Sequence, residues 1–199
     1  GDLPLSDLAR SVHAGWELAT VKEVYAQRLA EDRQAAARVD AQIRNFDFLD
    51  SIYRRADDGT VLYPDEIFVP PHPADAPLVD EITALVRENL QTDDVLVSPL
   101  GIGNHPDHTI VRRAAEATGQ PLRYYADIPY TLWYPAQFAE ITAKMKAITF
   151  SLSANELREW QNAIAAYASQ ISTLFLTEEK MRSSIKRYWE EKRGTQLFR

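Results

Sequence analysis

The chain has 199 residues and a mass of 22.6 kDa, with 45% hydrophobic and 26% charged residues, the size and balance of one soluble globular domain with a continuous core. A net charge of −7 and the absence of any Lys/Arg stripe argue against nucleic acid as a partner, since Lys186-Arg187 and Lys192-Arg193 are interleaved with Glu190 and Glu191. The chain has no cysteine, which excludes disulfides and thiolate ligands, so any metal takes His, Asp or Glu donors, a set that suits Zn²⁺ or Fe²⁺.

No apolar run reaches the ~20 residues of a bilayer span and the acidic start is not a secretory signal, so a cytoplasmic protein without a membrane span is expected. Along the chain, Val21 to Val39 reads as an amphipathic helix with Val21, Val24, Tyr25, Leu29 and Ala36 near one stripe. That phase places Glu31, Asp32 and Arg33 on a solvated polar side. Phe46 to Arg55 and the turn Asp57-Asp58-Gly59 give a short extended segment and a loop. Val69 to Pro77 carries four prolines in nine residues, which makes His72 a loop histidine, and Asp75 and Pro77 then start a helix over Leu78 to Leu90.

A strand over Val95 to Ser98, a helix from His105 closed by Gly119, and a strand over Leu122 to Ala126 come next. The alternation predicts an α/β fold built on a mostly parallel sheet flanked by helices. Further on, Ser153-Ala-Asn-Glu156 is a capping box for a helix over Leu157 to Ile171, and Thr177 starts another with Lys180 where the box needs Glu or Gln. Trp160, Tyr167, Phe175, Tyr188 and Trp189 are read as core aromatics. No repeat or linker divides the chain, so residues 1–199 are expected to form a single domain with a helical C-terminal portion.

The densest chemistry lies in His105-Pro106-Asp107-His108, which comes after an apolar strand and the hinge Gly101-Ile-Gly-Asn104. In an open α/β sheet this strand-to-helix position faces the ligand crevice, and imidazoles spaced i, i+3 share one helix face. Capping accounts for Asn104 as N-cap, Pro106 in the first turn and Asp107 at the positive end of the dipole. It does not account for two of the chain's four histidines within four positions, and a metal or catalytic site does.

Leu100-Gly-Ile-Gly-Asn-His-Pro-Asp-His108 resembles the second signature of the PIG-L/LmbE-like family of metal-dependent N-deacetylases, which act mainly on N-acetylated amino sugars. Arg28-Leu-Ala-Glu31-Asp32 resembles the family's Arg-x-x-Glu-Asp helix, Tyr124 to Tyr130 its Tyr-x-Asp-x-Pro-Tyr strand end, and Tyr167-Ala-Ser-Gln170 its Tyr-x-Ser-Gln element. Leu49-Asp-Ser-Ile-Tyr-Arg54 is similar to a further family stretch, whereas Val39-Asp40 stands where the family has Leu-Gly. The resemblance implies a Rossmann-like sheet and assigns roles. His108 is then the metal ligand, for zinc or alternatively Fe(II), and His105 the catalytic imidazole that faces the scissile carbonyl, stabilising the oxyanion or protonating the leaving nitrogen. Asp107 would orient His105 and raise its basicity, and Arg28 would contact substrate.

The family's N-terminal His-x-Asp-Asp signature has no counterpart here, and the opening residues resemble the segment after the family's second strand. The expectation is therefore a chain without the first strands and with an uncovered sheet edge, which carries one metal ligand by itself. The resemblance implies two alternative functions. One is a zinc-dependent hydrolase that removes an acyl group from a small N-acylated amino sugar or glycoconjugate through metal-activated water, once the missing segment is supplied. The other is a non-catalytic LmbE-like binding or scaffolding subunit; a homo-oligomer is compatible with either.

Overall fold

A computed structural model describes residues 4–199. In chain order the elements are α1 (Asp7–Trp16), α2 (Val21–Arg38), α3 (Ala76–Asn89), β1 (Leu96–Pro99), α4 (Pro106–Ala117), β2 (Leu122–Tyr125), α5 (Tyr130–Trp133), α6 (Pro135–Thr142), β3 (Ala147–Phe150), α7 (Ala154–Ala165), α8 (Ala168–Phe175), α9 (Glu178–Lys192) and β4 (Thr195–Phe198). The fold is α/β, as the alternation of elements implied. The chain forms two compact units, one built on Leu49–Ile148 with pieces up to Leu8 and from Gln196, the other on Ala9–Phe48 and Thr149–Thr195.

In the first unit the sheet order is β1-β2-β4-β3. Strands β1 and β2 pair in parallel, from Leu96 opposite Leu122 to Pro99 opposite Tyr125, with α4 as the crossover. Strand β4 joins β2 antiparallel, Tyr124 opposite Phe198, so the sheet is mixed. Its core is Leu100, Ile102 and Phe198, with Tyr124, Phe138 and Met145 packed against them. Helix α3 is tied to α4 by Thr83 Oγ1, which donates to Ala114 O at 3.1 Å. Strand β1 ends the sheet, and Val95 and Val97 are exposed there. No helix among the described residues is long and apolar enough to cross a membrane.

In the second unit α2 opens on a capping box absent from the sequence expectations: Glu23 N–H donates to Thr20 Oγ1 at 3.2 Å and Thr20 N–H to Glu23 Oε2 at 2.9 Å. It ends as Asp40 takes the left-handed conformation, φ 52°, in the place of a glycine. Glu31 is not on a solvated face; it is 1% exposed. Its carboxylate accepts from Ser169 N–H and Ser169 Oγ, both at 2.8 Å. Ser169 lies in the first turn of α8, where backbone N–H groups lack helical acceptors, so a buried carboxylate is stabilised there. The helix expected over Leu157 to Ile171 divides into α7 and α8 at Ala166 and Tyr167. The capping box at Ser153 and Glu156 is present as expected.

Gly194, after α9, has φ 141°, and a Cβ added there would lie 2.0 Å from the Phe150 carbonyl oxygen. Gly194→Ala is expected to cost on the order of 3 kcal/mol, the upper end for a forced backbone conformation. A chemical-denaturation midpoint equal to that of the native protein would refute this.

Candidate active site

The site is built on the parallel β1-α4-β2 unit. After β1 the chain turns through Gly101, φ 74°, and Gly103, φ 84°, conformations that favour glycine. At Gly103 a Cβ would stand 3.1 Å from the Tyr134 ring, so the absence of a side chain lets that ring approach. The N-cap of α4 is His105 and not Asn104: its Nδ1 accepts the Asp107 N–H at 3.3 Å, with Pro106 at the first helical position. Asn104 is itself left-handed, φ 59°, and its side-chain oxygen accepts from Gln137 at 3.1 Å.

This cap fixes a protonation state. An Nδ1 that accepts a backbone N–H holds no proton, so the neutral ring carries its proton on Nε2. Burial, and next the neighbouring His108, push the His105 pKa down to about 4. His105 is thus a neutral imidazole that presents an N–H donor.

His108 is set the other way. Its Nδ1 lies 2.7 Å from Oδ1 of Asp127, whose side chain is fully buried. A carboxylate partner makes Nδ1 the donor, which leaves Nε2 with a free lone pair. The second Asp127 oxygen accepts the Ile102 N–H at 3.3 Å, so the carboxylate is fixed from both sides. The two rings, 5.2 Å apart between centroids, therefore offer one donor proton and one lone pair.

Asp107 meets His105 through its backbone; its carboxylate stands 3.9 Å from Nδ1. The carboxylate oxygens go instead to the Arg54 guanidinium and, at 3.3 Å, to the Ser51 N–H. Burial and the Asp50 carboxylate push the Asp107 pKa up to about 6, against the pull of Arg54 and Ser51. Asp75 does not cap α3 through its side chain. It is buried, accepts from Tyr63 OH at 2.5 Å and lies 3.4 Å from Arg54 Nε. His72 caps the turn after it, its Nδ1 accepting from Ala74 N–H at 3.1 Å.

Beside the histidines stands an aromatic wall. Phe68 meets His105 edge-on at 6.1 Å and Tyr130 at 5.6 Å; Tyr130 in turn meets His108 at 5.3 Å and Trp133 at 5.4 Å. Trp133 and Tyr134 are 44% and 38% exposed, so the wall continues to the surface.

The fourth sequence candidate, Arg28, belongs to the second unit. There its guanidinium lies over the Trp16 ring at 5.6 Å, and its buried Nη1 has no hydrogen-bond partner among the described residues. The two supporting motifs of that unit meet each other: Tyr167 OH donates to Asp32 at 2.9 Å beside the Ser169–Glu31 bonds.

Comparison with known proteins finds deacetylases. The whole chain aligns with the zinc-inhibited form of teicoplanin deacetylase Orf2 at a TM-score of 0.80 and 25% identity, covering 82% of that chain. A deacetylase–bog complex from the teicoplanin biosynthesis pathway gives 0.78 and 25%, with 100% of this chain and 81% of that one covered. The A40926 pseudoaglycone deacetylase Dbv21 shares the fold at a TM-score of 0.67 and 23% identity, over 100% of this chain and 79% of that one. By sequence, no family and no curated protein matches the chain.

The donor chemistry of His108 fits one position of a zinc site: an imidazole whose far nitrogen is held by a carboxylate is the usual form of a zinc-binding histidine. Among the described residues no group of three or more His, Asp or Glu side chains lies together as a metal site, whereas a catalytic zinc takes about three protein ligands.

Proposed function

We propose that this chain forms part of an N-deacetylase which, once further metal ligands join His108, removes an acyl group, acetyl in the first instance, from an N-acylated amino sugar of a glycoconjugate. The observation that carries the reading is the opposed pair, His105 as N–H donor and His108 as lone-pair donor, at the strand-to-helix crevice. The deacetylase neighbours and the PIG-L/LmbE-like motif support it.

In this reading His108, oriented by Asp127, contributes one ligand to a zinc ion, with Fe(II) as the alternative. When bound, the metal supplies a Lewis acid and an activated water. His105 directs its Nε2–H at the amide oxygen, where negative charge develops during attack, and a neutral donor in a buried site costs no reorganisation there. Of the two roles open to His105, its low pKa supports the oxyanion role over that of an imidazolium acid. The wall of Phe68, Tyr130, Trp133 and Tyr134 offers apolar faces to a sugar ring and its acyl group and excludes water from the donors. Arg28 is kept as a substrate contact on the strength of the resemblance.

The test is release of free amine from an N-acetylglucosaminide and from an acylated glycopeptide by the protein with its donor set beside His108 completed, zinc-loaded and then after chelation. Release that chelation abolishes is expected. Binding of the acylated sugar with no amine released by the loaded protein would overturn the enzyme in favour of a binding subunit. Asp127→Ala is expected to weaken zinc affinity about 10–100-fold, the effect of losing a carboxylate behind a ligand. Calorimetric titration against the native protein checks it, and equal affinities would remove Asp127 from the site.

A further inference from the structure

Arg54 stands at the centre of a buried network that the deacetylase reading leaves without a part. Its side chain is 9% exposed, its guanidinium is paired with Asp107, and its Nε lies 3.4 Å from Asp75. It also lies over the Tyr63 ring at 5.5 Å. Tyr63, 2% exposed, donates to Asp75 and accepts the His72 N–H at 2.8 Å. Asp50 holds the turn that carries Arg54, accepting the Ile52 N–H at 3.2 Å. One guanidinium thus faces two carboxylates from different parts of the chain, an arrangement that suits the planar fork of Arg and not a point charge.

The consequence reaches His105. Both Asp107 oxygens are taken by the turn at 51–54, one by Arg54 and one by Ser51 N–H. The carboxylate is therefore held off the His105 ring, 3.9 Å away, while the Asp107 backbone N–H is held against Nδ1. Were the carboxylate released, it would be the strongest acceptor within reach of Nδ1 and would draw the proton there, which strips Nε2 of its hydrogen.

We infer that Arg54 is a positioning residue for the deacetylase reaction: by sequestering the Asp107 carboxylate it keeps His105 in the Nε2–H tautomer that donates to the substrate oxyanion. The inference rests on the proposed function for its kinetic consequence, and on geometry alone for the tautomer.

The experiment uses Arg54→Met and Arg54→Lys in the zinc-loaded protein, with two readouts. Long-range ¹H–¹⁵N NMR of the His105 ring is expected to show Nε2–H in the native protein and a population of Nδ1–H in both variants. Turnover of the acylated sugar is expected to fall about 10–100-fold with KM unchanged, the range for a residue acting through another. Asp107→Asn added to Arg54→Met should lower turnover no further than the worse single change, because both act on one imidazole. Should Arg54→Met fail to fold, Arg54→Lys keeps the buried charge and carries both readouts. Tyr63→Phe, which removes a buried hydrogen bond beyond Asp75, is expected to lose stability while tautomer and turnover stay native. A folded Arg54→Lys or Arg54→Met with native tautomer, or full additivity with Asp107→Asn, overturns the inference. A native protein with no turnover but the expected tautomer change would instead sink the proposed function and leave the positioning role standing.

Discussion

Replacing His105 with alanine is expected to lower turnover by ~10²–10⁴ while the protein keeps its metal, the range for losing an oxyanion donor or a general acid–base group. The cap is the reason. Because Nδ1 accepts the Asp107 N–H, the ring has no lone pair left on Nε2 to give to a metal in its neutral form, and burial keeps it neutral with a pKa of about 4. Its chemistry toward a substrate is donation. His105→Gln, which can place a side-chain N–H in similar space, should retain more activity than the alanine variant and also keep its metal. Steady-state kinetics with metal analysis of both variants decide the matter. A His105→Ala protein that folds but is stripped of metal would reverse the two imidazole assignments, and equal losses in the two variants would count against the donor role.

The position of this site was legible because its signals are local. Two glycines, a proline in the first helical turn and two histidines one helical turn apart lie within eight residues, and each acts on its immediate neighbours. The N-cap was misplaced by one residue for a physical reason: Pro106 fixes the first helical position, so His105 must be the cap, and Asn104 is left to the left-handed turn. The partners of the site were not legible. Asp127 lies 19 residues from His108, and what joins them is the parallel register that sets the end of β2 beside the end of β1. It lies inside the Tyr124 to Tyr130 motif, and a carboxylate at the carboxyl end of the next parallel strand is the signal that could have marked it. Arg54 is 53 residues from Asp107 and sits in a stretch read as a short extended segment, where composition gives no sign that a charge will be buried.

Glu31 shows the same limit in the fold. On a helical wheel it falls among charged neighbours, and periodicity alone implies solvent exposure. Its burial is decided by Ser169, 138 residues away, whose N–H and hydroxyl replace water as donors. A long-range partner thus overrides the helical pattern. The element types were recoverable because caps and strand runs are local. Helices α1, α5 and α6 and strands β3 and β4 were not: β3 and β4 are four residues each, and β4 gains its identity from its neighbours β2 and β3 in the sheet.

His108→Ala is expected to remove bound metal from the loaded protein and turnover with it, a larger loss than the ~10–100-fold weakening from Asp127→Ala, because the ligand itself is gone and not only its support. Donor count decides this. Of the two imidazoles only His108 has a free lone pair on Nε2, since its Nδ1–H donates to the Asp127 carboxylate, which is itself held by the Ile102 N–H. No group of three such donors lies together among the described residues. Residues 1–199 by themselves should therefore bind Zn²⁺ only weakly, and any donor set completed from elsewhere would still depend on His108. Metal stoichiometry of the loaded protein, native against His108→Ala, with circular dichroism to confirm the fold, is the measurement. An unchanged stoichiometry in a folded variant would remove His108 from the metal. Tight stoichiometric binding by residues 1–199 alone would show that the ligands are drawn from side chains this arrangement does not bring together, and that the zinc does not sit at His108.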